Sequence, residues 1–379
     1  MSGEQLRTAD VRIDRGIISE IDYHLTANKK EKTIDLTNHF LYPGLINSHD
    51  HLEMNLYPLL GKPPYKNYTE WANTIYKPHE SPIKEIERIN ISDRLLWGGI
   101  KNLLSGATTV VHHNPWHRFL SKEKFPVRVV KEIAWAHSLA SERNIQKKFP
   151  RRKQIPFVVH AAEGIDDFAK QEITQLHQLE LLKENTVLVH AVALNKQNIN
   201  LIEGAKASVV WCPSSNLFMF GKTSPVDKLK GKVRVMLGSD STMTGSATLL
   251  DEMRTAKSTG LASAKEIFEM VTSVPANVFN LEIPKIEIGA IADLWATPIL
   301  KNDYFENIFL MKPSQITAVF IKGQLRFGDR SLSELMGDSY AINLNLSEKC
   351  IAYDIFSLKK KIEVKTLVKN SLWKILFSE

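Results

Sequence analysis

The run Leu45-Ile46-Asn47-Ser48-His49-Asp50-His51 follows Pro43-Gly44 and closes on two histidines at i and i+2. In a β-strand that spacing puts both side chains on one face. The two imidazoles can then converge on one point, which is what a divalent metal takes from its first two ligands. Alone, such a pair is as readily a solvated surface feature, so the ends of the other apolar runs decide. Val158-Val159-His160, Val187-Leu188-Val189-His190 and Val235-Met236-Leu237-Gly238-Ser239-Asp240 each end on a residue able to bind a metal. The β-branched run Ala107-Thr108-Thr109-Val110-Val111 leads into His112 and His113. A histidine on an apolar strand is often just a hydrogen-bonded core residue; several at successive strand ends point instead to a shared centre.

Those residues meet only if the strands are arranged to bring their carboxyl ends together. Further runs at 127–130, 156–160, 186–190, 208–212 and 233–240 alternate with helix-like stretches at 166–183, 195–205 and 246–259. Strands alternating with helices indicate parallel βαβ units. A closed parallel barrel gathers all strand ends on one face, where active sites are assembled, whereas an open sheet splays them apart. Residues 83–105 carry apolar positions at helical spacing, and Gly106 stands where a C′ residue ends such a helix. The irregular segment from Glu53 to Pro82 is long for a loop in a compact domain, which marks it as functional. Only seven strand runs are convincing. Between 127–130 and 156–160 there is room for one strand and one helix, so the fourth strand is either missing or compressed into Ile133–His137.

Short strands around Asp14-Arg15-Gly16, with a third at Thr33-Ile34-Asp35-Leu36, suggest a small sheet before the barrel. Residues 263–280 read as a last helix, after which Ile288–Leu294 and Ile316–Gly323 return to strands that complete that sheet. The expected division is therefore residues 1–42 and 283–330 in a small β-module, 43–282 in the barrel, and 331–379 in a C-terminal extension. That extension alternates weakly at Ile362–Lys365 and has an amphipathic helical pattern at 366–377, with no functional reading attached.

The 379 residues are 43% hydrophobic and 24% charged, ordinary for a soluble globular protein. The net charge of +7 is scattered, with local clusters at Lys147–Lys153 and Lys359–Lys361 that read as solvated faces rather than a nucleic-acid surface. Two distant cysteines, Cys212 and Cys350, argue for a reducing compartment and against a disulfide scaffold. Met1–Gln5 has neither a basic n-region nor an apolar h-region, and no run approaches a membrane span, so a cytoplasmic protein is expected. Neither a G-x-G-x-x-G after the first strand nor a phosphate-binding Walker stretch is present, which disfavours dinucleotide or nucleotide phosphate binding.

The segment Leu41-Tyr42-Pro43-Gly44-Leu45-Ile46-Asn47-Ser48-His49-Asp50-His51-Leu52 resembles the opening signature of the amidohydrolase superfamily. Within it, the chain is similar to the branch of cytosine, guanine and adenosine deaminases and triazine (chloro)hydrolases. His160-Ala161-Ala162-Glu163 matches that branch's His-x-x-Glu, and Val189-His190-Ala191 its next histidine. Trp211-Cys212-Pro213-Ser214-Ser215-Asn216-Leu217 resembles its Pro-x-Ser-Asn loop, Gly238-Ser239-Asp240 its last-strand aspartate, and Gly289–Leu294 the return to a β-sandwich. These motifs run in the family's order from about Val11 to about Gly328.

The resemblance implies a metal-dependent α/β fold, a (β/α)8-type barrel, seven-stranded or distorted if the fourth strand is lost, with a small β-sandwich from both chain ends. It implies one divalent metal on His49, His51, His160 and Asp240. Neutral imidazoles with one carboxylate suit zinc or, alternatively, iron and leave a position for water. Asp240 would take the water's proton, Glu163 would carry a proton to the substrate ring and the leaving amine, and His190 would stabilise charge at the reacting atom. Glu163 could instead be an ordinary acid at a helix N-terminus. Glu53, Trp71, Asn216 and one of His112 and His113, with His113 the choice, are the candidate substrate contacts, beside Met54; Cys212 reads as core. The implied reaction is deamination of a cyclic or heterocyclic small molecule. Cyclic-amide ring opening or dechlorination by the same residues is the alternative. A non-catalytic binding relative should have lost ligands, yet all four positions remain. No nucleic-acid or membrane partner is expected, and a homo-oligomer is left open.

Overall fold

The computed structural model describes residues 6–363 and 370–377. Strands β1 (Asp10–Asp14) and β2 (Ile17–Asp22) form an antiparallel hairpin across Arg15 and Gly16, both at positive φ. The third strand expected at Thr33–Leu36 is absent; the extended segment lies a few residues on, as β3 (His39–Pro43), where Phe40 meets Tyr304 edge-on and Tyr42 packs against it at a tilt.

Eight parallel strands follow: β4 (Leu45–Asp50), β5 (Ala107–His112), β6 (Arg128–Val129), β7 (Ala134–Ala136), β8 (Phe157–Ala161), β9 (Thr186–His190), β10 (Ser208–Trp211) and β11 (Arg234–Leu237). They form two sheets, β4-β5-β6 and β7-β8-β9-β10-β11. The strand in doubt is present, compressed into the stretch named for it. Residues 137–156 hold only a single 3-10 turn at Ile145–Lys148 where a helix would complete the unit. Past the end of β11, the Asp240 N–H donates to the His49 carbonyl at 3.0 Å, which brings the last strand end against the first.

Strands β4, β5, β8, β9 and β10 are buried on both faces, as parallel strands covered by helices are. Val111, Val158, Val187, Val189, Val210 and Met236 pack with Cys212 in one interior cluster, while their alternating neighbours face the helices. Cys212 is thus core, as expected.

Between the strands lie α1 (Tyr68–Ile75), α2 (Ile83–Glu87), α3 (Ile91–Leu103), α4 (Asp167–Gln178), α5 (Lys196–Ala205), α6 (Pro213–Phe220), α7 (Val226–Leu229), α8 (Leu249–Ser258), α9 (Ala264–Glu269) and α10 (Ser273–Val278). Two stretches expected as single helices are broken. Asn90 interrupts 83–105 because its side chain accepts the Ser92 N–H at 2.8 Å and starts a new helix. Residues 263–280 split at Met270–Thr272, where Thr272 leaves helical geometry. Gly98 lets α3 press on the turn after β4, since a Cβ there would stand 2.2 Å from the Leu52 carbonyl oxygen.

Strand β3 and five strands from the C-terminal part build one six-stranded sheet, while the β1–β2 hairpin forms a sheet of its own; the stretch 331–379, expected as an extension, supplies two of the six strands. The larger sheet orders β15 (Tyr340–Leu344), β16 (Ser347–Ile351), β14 (Gln324–Asp329), β13 (Ala318–Ile321), β12 (Leu294–Pro298) and β3, all antiparallel. Ile362 and Glu363 end a helix rather than a strand, and 364–365 lie outside the described residues. Of the helix expected at 366–377, residues 366–369 also lie outside them, while Ser371–Phe377 is helical. Asn370 donates its amide to the Asn55 carbonyl at 2.5 Å, and Trp373 packs on Trp97, so the tail braces the segment following β4. Among the described residues no helix is long and apolar enough to cross a membrane.

Candidate metal centre and active site

Every strand end named from the sequence contributes to one buried centre. His49 comes from β4 and His51 from the residue after it; His160 is the last residue but one of β8 and His190 ends β9; Asp240 lies three residues past β11. His190, Ala191, Ala162 and Asp240 all have φ between +47 and +72. Such backbone is unfavourable for residues with a Cβ and is kept where the surroundings force it, commonly at working sites. Gly238 admits the approach of β11 to β4: a Cβ there would stand 2.6 Å from that of His49.

One nitrogen from each of His49, His51, His113 and His160 lies within 4.8 Å of the other three, and all four residues are buried. His49 Nε2 and His160 Nε2 face each other at 3.3 Å. His160 Nδ1 lies 2.8 Å from the His137 carbonyl, which only accepts, so the Nε2 lone pair points inward. The Nδ1 atoms of His49, His51 and His113 are buried with no partner among the described residues. Burial first, and the neighbouring imidazoles second, push His49, His113 and His160 well below the ordinary histidine range. Converging imidazole nitrogens, three of them on rings whose charged form burial disfavours, are the state in which histidines bind a divalent cation, so these residues fit a metal.

Asp240 stands beside the cluster. Its Oδ1 lies 3.8 Å from His49 Nε2 and 3.7 Å from His51 Nε2. Its Oδ2 accepts from Ser215 Oγ at 2.8 Å and Thr244 Oγ1 at 2.9 Å. Burial would raise the Asp240 carboxyl, but His51, His190 and these two hydroxyls outweigh it and hold it below the usual range. Glu163 goes the other way: burial, then Asp240 and Glu172, push its carboxyl well above the usual range, which favours its protonated form. Its Oε1 lies 3.5 Å from His190 Nε2, while His190 Nδ1 pairs with Asn216 Oδ1 at 2.9 Å. Two carboxyls with opposed proton affinities thus flank one centre, a pattern that separates acid from base.

The remaining candidates fall in distinct places. His113 joins the imidazole cluster, whereas His112 turns toward Glu53, with Nε2 and Oε2 3.7 Å apart. Glu53 Oε1 also accepts from Asn114 at 2.6 Å. Trp71 donates Nε1–H to the Leu60 carbonyl at 2.9 Å and braces the segment over the centre. That segment is pinned at Leu60 to Met243, at Tyr65 to Met219 and at Tyr68 to Glu163 through backbone bonds of 2.8–3.1 Å.

Several supporting residues were not legible from the sequence. Ser215 lies in a motif that had been noticed, but its partner Asp240 is distant in the chain. Lys101 is fully buried, with Nζ 3.3 Å from Asp50 Oδ2, 3.0 Å from Ser239 Oγ and 2.9 Å from the Asp240 carbonyl. Glu172 on α4 accepts the Ala162 N–H at 2.7 Å, and Glu252 on α8 accepts the Ser214 N–H at 2.9 Å. Each anchors a loop of the site, and burial pushes both carboxyls up to about 7. A carboxyl raised from 4.5 to about 7 on folding favours the folded state while protonated. Its contribution, about 3 kcal/mol, is lost as pH rises across that window. Glu172→Gln should therefore flatten the fall in unfolding free energy between about pH 5 and about pH 8 by that order, read by denaturant titration at both values.

The Amidohydrolase family model matches residues 121–326 of this chain. The 5-methylthioadenosine/S-adenosylhomocysteine deaminase of Pyrococcus furiosus is 25% identical over 346 residues, covering 76% of this chain and 81% of the relative. Among solved structures, a zinc-bound adenosine deaminase from Xanthomonas campestris superposes with a TM-score of 0.71 at 17% identity, covering 95% of this chain and 93% of the other. The zinc complex of atrazine chlorohydrolase from Arthrobacter aurescens gives 0.68 at 16% identity, covering 84% and 90%. The backbone that gathers the strand-end histidines is therefore one that these two structures share, and since the family match spans more than half of the sequence, this chain belongs to the amidohydrolase family.

Proposed function

We propose that this protein is a metal-dependent deaminase of a nitrogen heterocycle, replacing a ring amino group by oxygen and releasing ammonia. His49, His51, His160 and Asp240 would hold one divalent cation, zinc or iron, which supplies Lewis-acid activation of a water molecule when bound. Asp240, with its lowered carboxyl, takes the proton of the attacking water. Glu163, its carboxyl raised by burial, donates to a ring nitrogen as the C–O bond forms, and a proton then passes to the departing amine. His190, held by Asn216, hydrogen-bonds the reacting face and stabilises charge there. Glu53, Trp71, His113 and Asn216 line the space for the ring. The scaffold in this reading is an eight-stranded barrel of residues 43–282, closed where β11 meets β4. The strands of 1–42 and 283–330 form its β-sandwich together with β15 and β16, which come from the stretch 331–379 expected as a separate extension.

The observation that carries the reading is the buried Glu163, its Oε1 3.5 Å from His190 Nε2, at the edge of an imidazole cluster. The deaminase names of the relatives support the substrate class. Purified protein should contain close to one zinc or iron per chain, and chelation should abolish turnover that added zinc restores. An ammonia-release screen over nucleobases, nucleosides including 5′-modified adenosines, and pterins tests the activity. Metal-replete protein that releases no ammonia from any of them would overturn it.

A further inference from the structure

One imidazole of the cluster belongs to a residue outside the proposed ligand set. His113 lies just past β5, and its backbone N–H donates to the Asp50 carbonyl at 3.0 Å, which sets it level with the His49–His51 segment. Its Nε2 lies 3.0 Å from the Ala136 carbonyl. A carbonyl only accepts, so Nε2 carries the proton and Nδ1 bears the lone pair. That Nδ1 is buried and has no hydrogen-bond partner among the described residues. A buried polar atom left this way costs about 1–3 kcal/mol, unless something outside the protein's own donors satisfies it.

His160 is built alike, with one nitrogen fixed by the His137 carbonyl and the other turned to the centre. Adjacent residues at the end of β7, Ala136 and His137, thus orient two imidazoles from β5 and β8. Metal-binding histidines are characteristically held through their other N–H in this way. The rings agree. Those of His51, His113 and His160 lie within 13–21° of one another, and that of His49 stands at 75–87° to each. Centroid separations among the four run from 4.4 to 5.6 Å. With metal–nitrogen bonds of about 2.1 Å, ring centres sit about 3 Å from the ion and about 4.5–5.5 Å apart. Four lone pairs converging without a cation would repel one another.

We infer that His113 is a ligand of the same ion, completing four imidazoles with the Asp240 carboxylate at their side. This rests on the metal-dependent reading above and moves His113 from substrate contact to metal ligand. A set dominated by imidazoles favours zinc, iron, nickel or copper over magnesium, calcium or manganese.

The test uses the full chain, freed of metal by chelation and reloaded. His113→Phe keeps a ring against His160 and Trp135, and the melting temperature of the metal-free protein reports whether its fold is intact. Zinc affinity, by competition with a chromophoric chelator, should fall by more than the roughly 10–100-fold that loss of an outer partner causes. The visible bands of the cobalt-loaded protein should change. X-ray absorption of the zinc-loaded wild type should count four imidazoles, a measurement independent of any variant. Three imidazoles, or a folded variant with wild-type zinc affinity and cobalt bands, overturns the inference and leaves the metal-dependent reading standing. Wild-type protein that binds neither zinc nor cobalt overturns both.

Discussion

Glu163→Gln should keep its metal and lose roughly 10²–10⁴-fold in kcat, the range a positioned general acid–base group contributes. The amide keeps the size of the side chain and one carbonyl oxygen, so packing at this buried position is preserved. What it loses is a proton that can be given up and taken back. In the wild type, burial and the nearby Asp240 and Glu172 charges keep the Glu163 carboxyl protonated well above its ordinary range. It therefore holds its proton to higher pH than an exposed glutamate does, which suits a donor. Because the proton moves only during bond making, the loss should fall on kcat rather than KM. The wild-type rate should also fall on the alkaline side, as pH rises through the raised Glu163 value, and the variant should lack that limb. A variant with wild-type kcat and unchanged metal content would remove Glu163 from the chemistry.

Lys101→Met should destabilise the protein by about 3–5 kcal/mol, the usual consequence of stripping one partner from a buried ion pair. Lys101 Nζ is the positive charge facing Asp50 Oδ2 at 3.3 Å, and it also donates to Ser239 Oγ and to the Asp240 carbonyl. Without it, the buried Asp50 carboxylate keeps its amide donors from Asn55 at 2.7 Å and Asn102 at 2.8 Å but has no counter-charge. Lys101→Met/Asp50→Asn removes both charges and should recover only part of the loss, because the new amide NH2 then faces the amide donors of Asn55 or of Asn47 and Asn102. Urea titration of the single and double variants measures this. A single variant within about 1 kcal/mol of wild type would show that the pair is not an essential tie. The same tie joins the strand ends carrying His49 and Asp240, so the single variant should also bind zinc less tightly.

Much of the site was readable because strand-end chemistry is local. An imidazole after a β-branched run, and the offset from His160 to Glu163, are short-range patterns that survive without coordinates. The alternation of strands and helices follows equally from apolar periodicity, and it placed the histidines on one face of a parallel fold. Where the reading erred, a single side chain had outweighed the period. Asn90 capped a new helix inside an apolar pattern that continued through it, and no pattern in Thr33–Leu36 could reveal that the pairing strand lay at His39–Pro43.

The residues themselves determined the type of protein: neutral histidines and carboxylates at the ends of parallel strands, in an order belonging to one family. The tertiary structure alone decided which of them meet. His112 and His113 are consecutive, so a strand sends them to opposite sides, and only the position of β5 between β4 and β6 turns His113 to the centre. Lys101 sits on a helix whose sequence would let a lysine face water, and packing of that helix under two strand ends buried it instead. The opposed proton affinities of Glu163 and Asp240 likewise come from neighbours remote in sequence, because burial and charge act through space and not along the chain.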